Sequence, residues 1–108
     1  GGMIMKMILL DGRQMTDRGR AHTYLQQQLE LPEYYGRNLD ALYDCLTDMH
    51  RVQIVLTYIA EMTENLGDYA DMLLAVFAEA AEENPGMEFL AENEVFIEDE
   101  EDEENTGE

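Results

Sequence analysis

Acidic and tyrosine side chains concentrate in one short stretch, and they are the groups in this sequence best suited to bind a ligand. Asp40, Asp44 and Asp48 recur every fourth residue, which places them on one face of a helix. Like charges at this spacing repel, by about 0.2–0.5 kcal/mol for each pair. Tyr34 and Tyr35 fall in a predicted exposed loop just before them, and tyrosine is enriched at protein interfaces. A solvated helix face would explain the acids alone. The repulsion between the aspartates, taken with the exposed tyrosines, instead indicates a surface that binds a cationic partner.

The same stretch lacks the additional groups that catalysis or metal binding requires. Asp40 and Asp44 offer two carboxylates, whereas a hard cation needs further oxygen ligands around it. Cys45 falls on the apolar side of the predicted helix with no basic neighbour to stabilise a thiolate, so we interpret it as a core side chain. His22, one step beside Ala21 on the predicted first helix, is interpreted as a half-buried structural histidine, and no second histidine supports a zinc site. We therefore predict that the protein is not an enzyme and binds no metal and no cofactor.

A loop and a helix are predicted to position these side chains. Pro32 ends the preceding helix, because its ring disfavours the helical conformation in the residue before it. Gly36 is free to adopt a positive φ, which predicts a tight exposed loop over residues 33–37. Asn38 is a good N-cap for a helix that begins at Leu39. The apolar side chains of that helix share one face: Leu39, Leu42, Cys45, Leu46 and Met49.

Strands and helices alternate along the rest of the chain. Apolar runs bounded by turn residues predict strands over residues 3–10, 52–58 and 87–91, the first of them buried on both faces. Helices are predicted from a capping Thr16 to Glu30, over residues 59–65, and from a capping Asp68 to Asn84. This order predicts an α/β fold, in which a small three-stranded parallel sheet with right-handed crossovers is packed with about four helices.

Composition restricts the kind of partner. The chain has 108 residues, 6 basic and 25 acidic, and a formal net charge of −19. Ten of the acids lie in residues 92–108, so the other 15 acids and the 6 bases leave −9 on residues 1–91. Such a surface repels phosphates, which argues against direct nucleic-acid binding and favours a basic protein. One cysteine allows no internal disulfide, and no signal peptide or membrane-length apolar run is present, so we predict a cytoplasmic protein without membrane contact.

Three segments are predicted. Gly1 and Gly2 precede Met3 and are interpreted as a remnant of expression. Residues 3–91 form the domain, and residues 92–108 form an acidic tail with a disordered composition after Ile97. Within the tail, Val95-Phe96-Ile97 could dock on the domain or extend the last strand. The acids beyond it act either as a solubilising extension or as an electrostatic lure for a basic partner.

One long motif resembles a known family. Residues 31–36, LPEYYG, followed by residues 38–47, NLDALYDCLT, are similar to the signature of the barstar family of intracellular ribonuclease inhibitors. The likeness extends more weakly from about Met3 to Leu90 in the order and spacing of the apolar segments. It implies a barstar-like fold and an antitoxin-like or immunity-like inhibitor, monomeric when free. The loop and second helix would plug the substrate cleft of a small basic ribonuclease, with acids occupying sites meant for RNA phosphates.

The resemblance also implies which residues bind the partner, with Asp44 as the central phosphate mimic: Tyr34, Gly36, Asn38, Asp40, Tyr43, Asp44 and Glu79. Some positions depart from the best-known member of the family. Tyr43 replaces a tryptophan, Met49 replaces another aromatic residue and Asp48 replaces a small residue. Positive or titratable groups surround the acids at Arg37, His50 and Arg51. The resemblance, with these departures, therefore implies a target that is either a barnase-like nuclease or a related ribonuclease toxin. Two alternatives stay open: a barstar-fold module that binds a basic non-nuclease protein, and an acidic nucleic-acid mimic that works through its tail.

Overall fold

The computed structural model describes residues 5–93. A strand opens the chain and each of the two following crossovers contains a pair of helices. The elements are β1 (Lys6–Asp11), a short 3-10 helix (Gly12–Gln14), α1 (Arg18–Gln28), α2 (Leu39–Thr47), β2 (Val52–Thr57), α3 (Ile59–Leu66), α4 (Asp68–Glu83) and β3 (Met87–Ala91).

The three strands form one parallel sheet in the order β1–β2–β3, with β2 at the centre. Ile8 of β1 is level with Ile54 of β2, which is level with Phe89 of β3. Parallel neighbours need long crossovers, and the helical pairs provide them. The predicted α/β fold, a three-stranded parallel sheet packed with four α-helices, is confirmed.

The core lies between one face of the sheet and the helices. Leu25 of α1, Leu42 of α2 and Phe77 of α4 are fully buried there. Phe77 also stacks on Phe89 of β3, with ring centroids 4.9 Å apart. Each such side chain contributes about 1.5–3 kcal/mol through removal of apolar surface from water. The core therefore fixes α2 and α4 against the same side of the sheet, which determines what their outer faces can present together.

The prediction that β1 is buried on both faces was wrong. Met7 is 63% exposed and Leu9 50% exposed, whereas Ile8 and Leu10, which alternate with them along β1, are buried. The apolar core cluster joins helical side chains only to the face that carries Ile8 and Leu10. A continuous apolar run does not reveal this asymmetry, because most parallel sheets are covered on both sides.

Several predicted boundaries also shift. The N-cap of α1 is Asp17, whose carboxylate accepts a hydrogen bond from the Arg20 N–H (2.8 Å), and not Thr16. Asp68 is the first residue of α4 and not its cap, because α3 ends at Leu66 and Gly67 (φ 63°) is both the C-cap of α3 and the N-cap of α4. β2 ends at Thr57, since the next residue adopts a left-handed conformation. The predictions for Val95-Phe96-Ile97 and for the acidic tail beyond it concern residues that lie outside those described.

Candidate protein-binding surface

Helix α2 separates an apolar face from an acidic one. Its N-cap is Asn38, whose Oδ1 accepts a hydrogen bond from the Ala41 N–H (2.7 Å). Leu42 and Leu46 are fully buried against the core. On the opposite face the three aspartates are exposed: Asp40, Asp44 and Asp48. The predicted capping residue and the predicted division of faces are both confirmed, and the acids point away from the core.

The acids of α2 have no cationic partner among residues 5–93. The ion pairs in that part of the chain are Lys6–Glu30, Asp11–Arg13 and Asp17–Arg20. Asp40 lies in the first turn of α2, where the helix dipole favours a negative charge. Asp48 is the C-cap, at the end of the helix where the dipole disfavours one. The helix therefore carries uncompensated negative charge along its whole exposed face.

The negative charge of this surface shifts the pKa values of two neighbouring side chains, Tyr43 and Cys45. Partial burial raises the pKa of the Tyr43 hydroxyl, and the carboxylates of Glu83, Glu79 and Asp44 raise it further. Burial likewise raises the pKa of the Cys45 thiol, with Asp44 and Asp48 adding to the shift. Cys45 is thus held as a neutral thiol, as its interpretation as a core side chain requires.

Helix α4 adds acids to the same surface. It packs directly against α2, and Glu79 and Glu83 are close enough to Tyr43 to influence its hydroxyl. Glu79 is exposed and Tyr43 is half-buried between the helices. The structure therefore brings together Asp40, Tyr43 and Asp44 of α2 with Glu79 of α4. Glu83 was not foreseen, although its spacing of one helical turn from Glu79 was a usable signal.

The two tyrosines of the loop before α2 point in opposite directions. Tyr34 is 87% exposed, in agreement with its predicted position in an exposed loop, but Tyr35 is only 5% exposed, so the prediction that both are exposed was wrong. Pro32 O accepts a hydrogen bond from the Tyr35 N–H (2.9 Å), which closes a turn and directs the Tyr35 ring inward. Only Tyr34 is available to a partner.

Gly36 does not adopt the positive φ for which the sequence suggested it. The left-handed residue is Arg37, at φ 56°, and not Gly36. A Cβ on Gly36 would lie 3.1 Å from Asn38 Nδ2, which itself donates a hydrogen bond to Gly36 O (3.3 Å). The missing side chain of Gly36 therefore allows a close approach to Asn38, whose own side chain bonds both the loop and the helix. Arg37 is exposed and donates a hydrogen bond to Gln26 Oε1 (3.3 Å).

A buried histidine ties the loop to two helices. His22 of α1 is 2% exposed, more buried than the half-buried residue predicted. Its Nδ1 lies 2.5 Å from Tyr35 Oη and its Nε2 lies 2.6 Å from Tyr69 Oη of α4. A neutral imidazole has one donor and one acceptor, so one tyrosine donates to His22 and the other accepts from it. Burial, together with the positive charge of Arg37, lowers the pKa of His22 and favours this neutral form.

Two open depressions border the acidic face. The first, of about 490 Å³, lies at the N-terminal end of α2 and is lined by Asn38, Leu39, Asp40 and Tyr69. The second, of about 300 Å³, lies beside the C-terminal half of α2, and its lining includes Tyr34, Cys45, Asp48 and Met49. Tyr69 was not foreseen as part of this surface, because only the fold brings it beside Asp40. Within residues 5–93 no three metal-ligating side chains converge, and no helix is long and apolar enough to span a bilayer.

The fold, a three-stranded parallel sheet packed with four α-helices, is that of a known α/β family. The family model described as Barstar (barnase inhibitor) matches residues 5–97, and the chain belongs to the barstar family. A relative in Bacillus subtilis (strain 168) carries the name "Putative ribonuclease inhibitor YrdF". It is 45% identical over 83 residues, which cover 73% of this chain and 89% of that protein.

Proposed function

We propose that this protein is a stoichiometric inhibitor of a small, basic ribonuclease, either barnase-like or a ribonuclease toxin, and that it acts as a cytoplasmic antitoxin or immunity protein. The observation that carries the proposal is the face of α2, where Asp40, Asp44 and Asp48 are exposed and have no cationic partner among the described residues. Membership of the barstar family and the name of the Bacillus subtilis relative support the same class of function.

The mechanism follows from charge complementarity. A ribonuclease cleft binds phosphodiesters and must therefore present cations, which Asp44 would meet at the centre of the interface. Asp40 and Glu79 extend the negative surface across two helices, so several cations can be paired at once. Charge-assisted hydrogen bonds of this kind are roughly twice as strong as neutral ones. RNA would be excluded because its phosphate sites are filled by carboxylates.

Tyr34 supplies the aromatic part of the contact. At 87%, it is the most exposed of the large apolar and aromatic side chains in residues 5–93. It also borders the depression beside Cys45 and Met49. Exposed aromatic residues that pack into a partner are typical energetic centres of protein interfaces. Tyr43 lies at the margin between α2 and α4. Gly36 and Asn38 shape the part of the loop that joins Tyr34 to the start of α2.

The surface is held ready for a partner. Asn38 caps α2, and the bonds from His22 to Tyr35 and Tyr69 fix the loop to α1 and α4. An interface whose backbone is already ordered loses less conformational entropy on binding. We therefore place His22, Tyr35 and Tyr69 as positioning residues for the binding surface, with Tyr34 and the acids as the contacting groups.

A titration of ribonuclease activity tests the proposal. The purified protein is added to a panel of small basic ribonucleases, barnase among them, while RNA cleavage is followed. For the cognate enzyme, activity should fall in proportion to added protein and vanish near one equivalent. An acidic but inert protein of equal charge is the control for non-specific electrostatic inhibition. If no ribonuclease is inhibited and affinity capture returns a basic protein without nuclease activity, the alternative of a non-nuclease partner is correct.

A further inference from the structure

The side of α2 that meets α4 is apolar at two positions. Leu39 and Tyr43 are one helical turn apart, and both are half-buried. Leu39 lines the depression at the N-terminal end of α2 together with Tyr69 of α4. Tyr43 lies close enough to Glu79 of α4 for that carboxylate to influence its hydroxyl. Both side chains therefore lie on the flank of α2 that packs beside α4.

The facing row of α4 includes an exposed methionine. Four residues recur there at intervals of three and four, which places them in one row along the helix: Tyr69, Met72, Val76 and Glu79. Because Tyr69 and Glu79 both lie beside α2, Met72 and Val76 between them face the same way. Val76 is half-buried, whereas Met72 is 49% exposed. We name the surface formed by four of these side chains the α2–α4 groove: Leu39, Tyr43, Met72 and Val76.

The exposure of Met72 matches that of Tyr34 on the other side of α2. Six large apolar or aromatic side chains are exposed among residues 5–93, and four of them belong to the sheet or directly precede it: Met5, Met7, Leu9 and Leu90. The other two are Tyr34, which borders the depression beside Cys45, and Met72, on the Tyr43 side. Methionine and aromatic residues are enriched in protein interfaces. The acidic face of α2 thus has an exposed interface-type side chain on each flank.

The charges around the α2–α4 groove determine what can fill it. The Arg18 guanidinium lies 4.4 Å from the ring centroid of Tyr69, at the end of the groove where Leu39 lines the depression. A cation in that place repels a basic side chain. Asp40 of α2 and Glu79 of α4 are exposed and attract one. The arrangement therefore suits an uncharged apolar side chain that has basic residues beside it.

We propose that an exposed apolar side chain of the partner ribonuclease, with basic residues beside it, packs into the α2–α4 groove against Met72 and Leu39. This inference rests on the proposed inhibitory function and adds a determinant of specificity to it. The groove is continuous with Asp40 and Tyr43, so one partner surface can cover both. A methionine side chain is unbranched and adapts its shape to what it contacts. Surrounding ion pairs would shield the apolar contact from water, as they do at the energetic centres of interfaces.

Replacement of Met72 tests the contact, with the ribonuclease that the activity titration identifies as the probe. Met72→Gln keeps a good helix former but removes the apolar end of the side chain. Inhibition should weaken about four- to tenfold through faster dissociation, the effect of no longer burying roughly half of a methionine side chain. The melting temperature should stay unchanged. Met7→Gln is the matched control, because it makes the same change at a 63% exposed methionine on the sheet face away from the helices and should leave inhibition unchanged.

A second variant, Met72→Glu, separates an apolar contact from an electrostatic one. It adds a negative charge to a surface that faces a basic partner, so charge complementarity alone would speed association and tighten inhibition. An apolar side chain in the groove would instead be left against a carboxylate that loses its water. We therefore expect Met72→Glu to weaken inhibition at least as much as Met72→Gln does.

Three results would overturn the proposal. If the unmodified protein inhibits and Met72→Gln inhibits equally well, or Met72→Glu inhibits better, the groove makes no apolar contact, while the proposed inhibitory function stands. If the unmodified protein inhibits no ribonuclease, the proposed function and this inference both fail. If analytical ultracentrifugation shows a dimer that Met72→Gln dissociates, a second copy of the chain fills the groove.

Discussion

At the residue scale, His22 shows how one buried polar side chain organises a surface that it does not reach. Its two ring nitrogens bond Tyr35 of the loop and Tyr69 of α4. Tyr69 in turn lies under the Arg18 guanidinium, 4.4 Å from the ring centroid, and lines the depression beside Asp40. A buried hydroxyl left without a partner costs about 1–3 kcal/mol, so loss of His22 would loosen both tyrosines at once.

This network predicts a specific pH dependence of stability. Burial and Arg37 hold the pKa of His22 below its ordinary value, so the native state favours the neutral ring. The stability due to this preference is complete above the unfolded-state pKa of about 6.5 and is lost as the pH falls below it. The free energy of unfolding of the protein, minus that of His22→Gln, should therefore shrink from about pH 7.5 to about pH 5. The carboxylates titrate in both proteins, so their contributions cancel in this difference. A difference that stays constant or grows as the pH falls would contradict the role given to His22.

Arg37 provides a residue-scale test of the partner's charge. It is an exposed cation in the loop between Tyr34 and α2, and its side chain contacts Gln26. If the partner is basic, Arg37→Glu should speed association, and more so at low salt, because a repelling charge becomes an attracting one. Stopped-flow association rates over a series of salt concentrations measure the effect. Arg20→Glu, at an exposed position on α1 outside the loop, is the comparison for an equal change in net charge. Slower association of Arg37→Glu would place an acidic group of the partner opposite this position.

At the element scale, α2 was predictable because its determinants are local. Asn38, the apolar spacing and the position of the acids all act within one helix, and each matched the structure. The inward turn of Tyr35 and its bond to His22 were not predictable in this way. His22 and Tyr69 are 47 residues apart, so their contact exists only after the helices pack. The open face of β1 was missed for the same reason, since the path of the crossovers decides which side the helices cover.

Two glycines near the end of β1 should respond to alanine substitution in opposite directions. A Cβ on Gly12 would lie 2.5 Å from Tyr58 O and 2.6 Å from Thr57 O, both backbone atoms that cannot move aside cheaply. Gly12→Ala should lower the free energy of unfolding by about 1–3 kcal/mol. Gly19 is an exposed residue of α1, and a Cβ there would lie 3.4 Å from its nearest neighbour, Asp17 Oδ1. Gly19→Ala should instead raise the free energy of unfolding by about 0.5–1 kcal/mol. Thermal or urea unfolding measures both, and equal effects would contradict the close packing at Gly12.

At the scale of the whole molecule, we expect the association rate and the affinity to depend on different groups of acids. The acidic face of α2 would contact the partner, whereas the acids beyond Ile97 would add long-range attraction. Removal of residues 98–108 should slow association and weaken its salt dependence, but leave dissociation and the melting temperature nearly unchanged. If removal of residues 98–108 speeds dissociation more than about tenfold, corresponding to roughly 1.4 kcal/mol, the acidic residues form part of the bound interface.

Asp44 is central to the proposed inhibitory surface, and it has a like charge four residues away on each side. Asp44→Ala removes both repulsions and introduces a better helix former, so the free protein should be as stable as before or more stable, by up to about 1 kcal/mol. In the complex the same change would leave the partner's cations buried and unpaired, which should cost about 2–5 kcal/mol of binding. Asp48→Ala is the matched control, because it removes one repulsion at the C-terminal end of α2 and should cost little binding.

The most direct measurement therefore combines thermal unfolding with inhibition of the cognate ribonuclease for Asp44→Ala and Asp48→Ala. We expect Asp44→Ala to unfold at an unchanged or higher temperature and to inhibit at least about thirtyfold more weakly, the lower end of the binding loss, while Asp48→Ala inhibits almost normally. If Asp44→Ala unfolds more easily and still inhibits fully, Asp44 has a structural role and α2 is not the inhibitory surface.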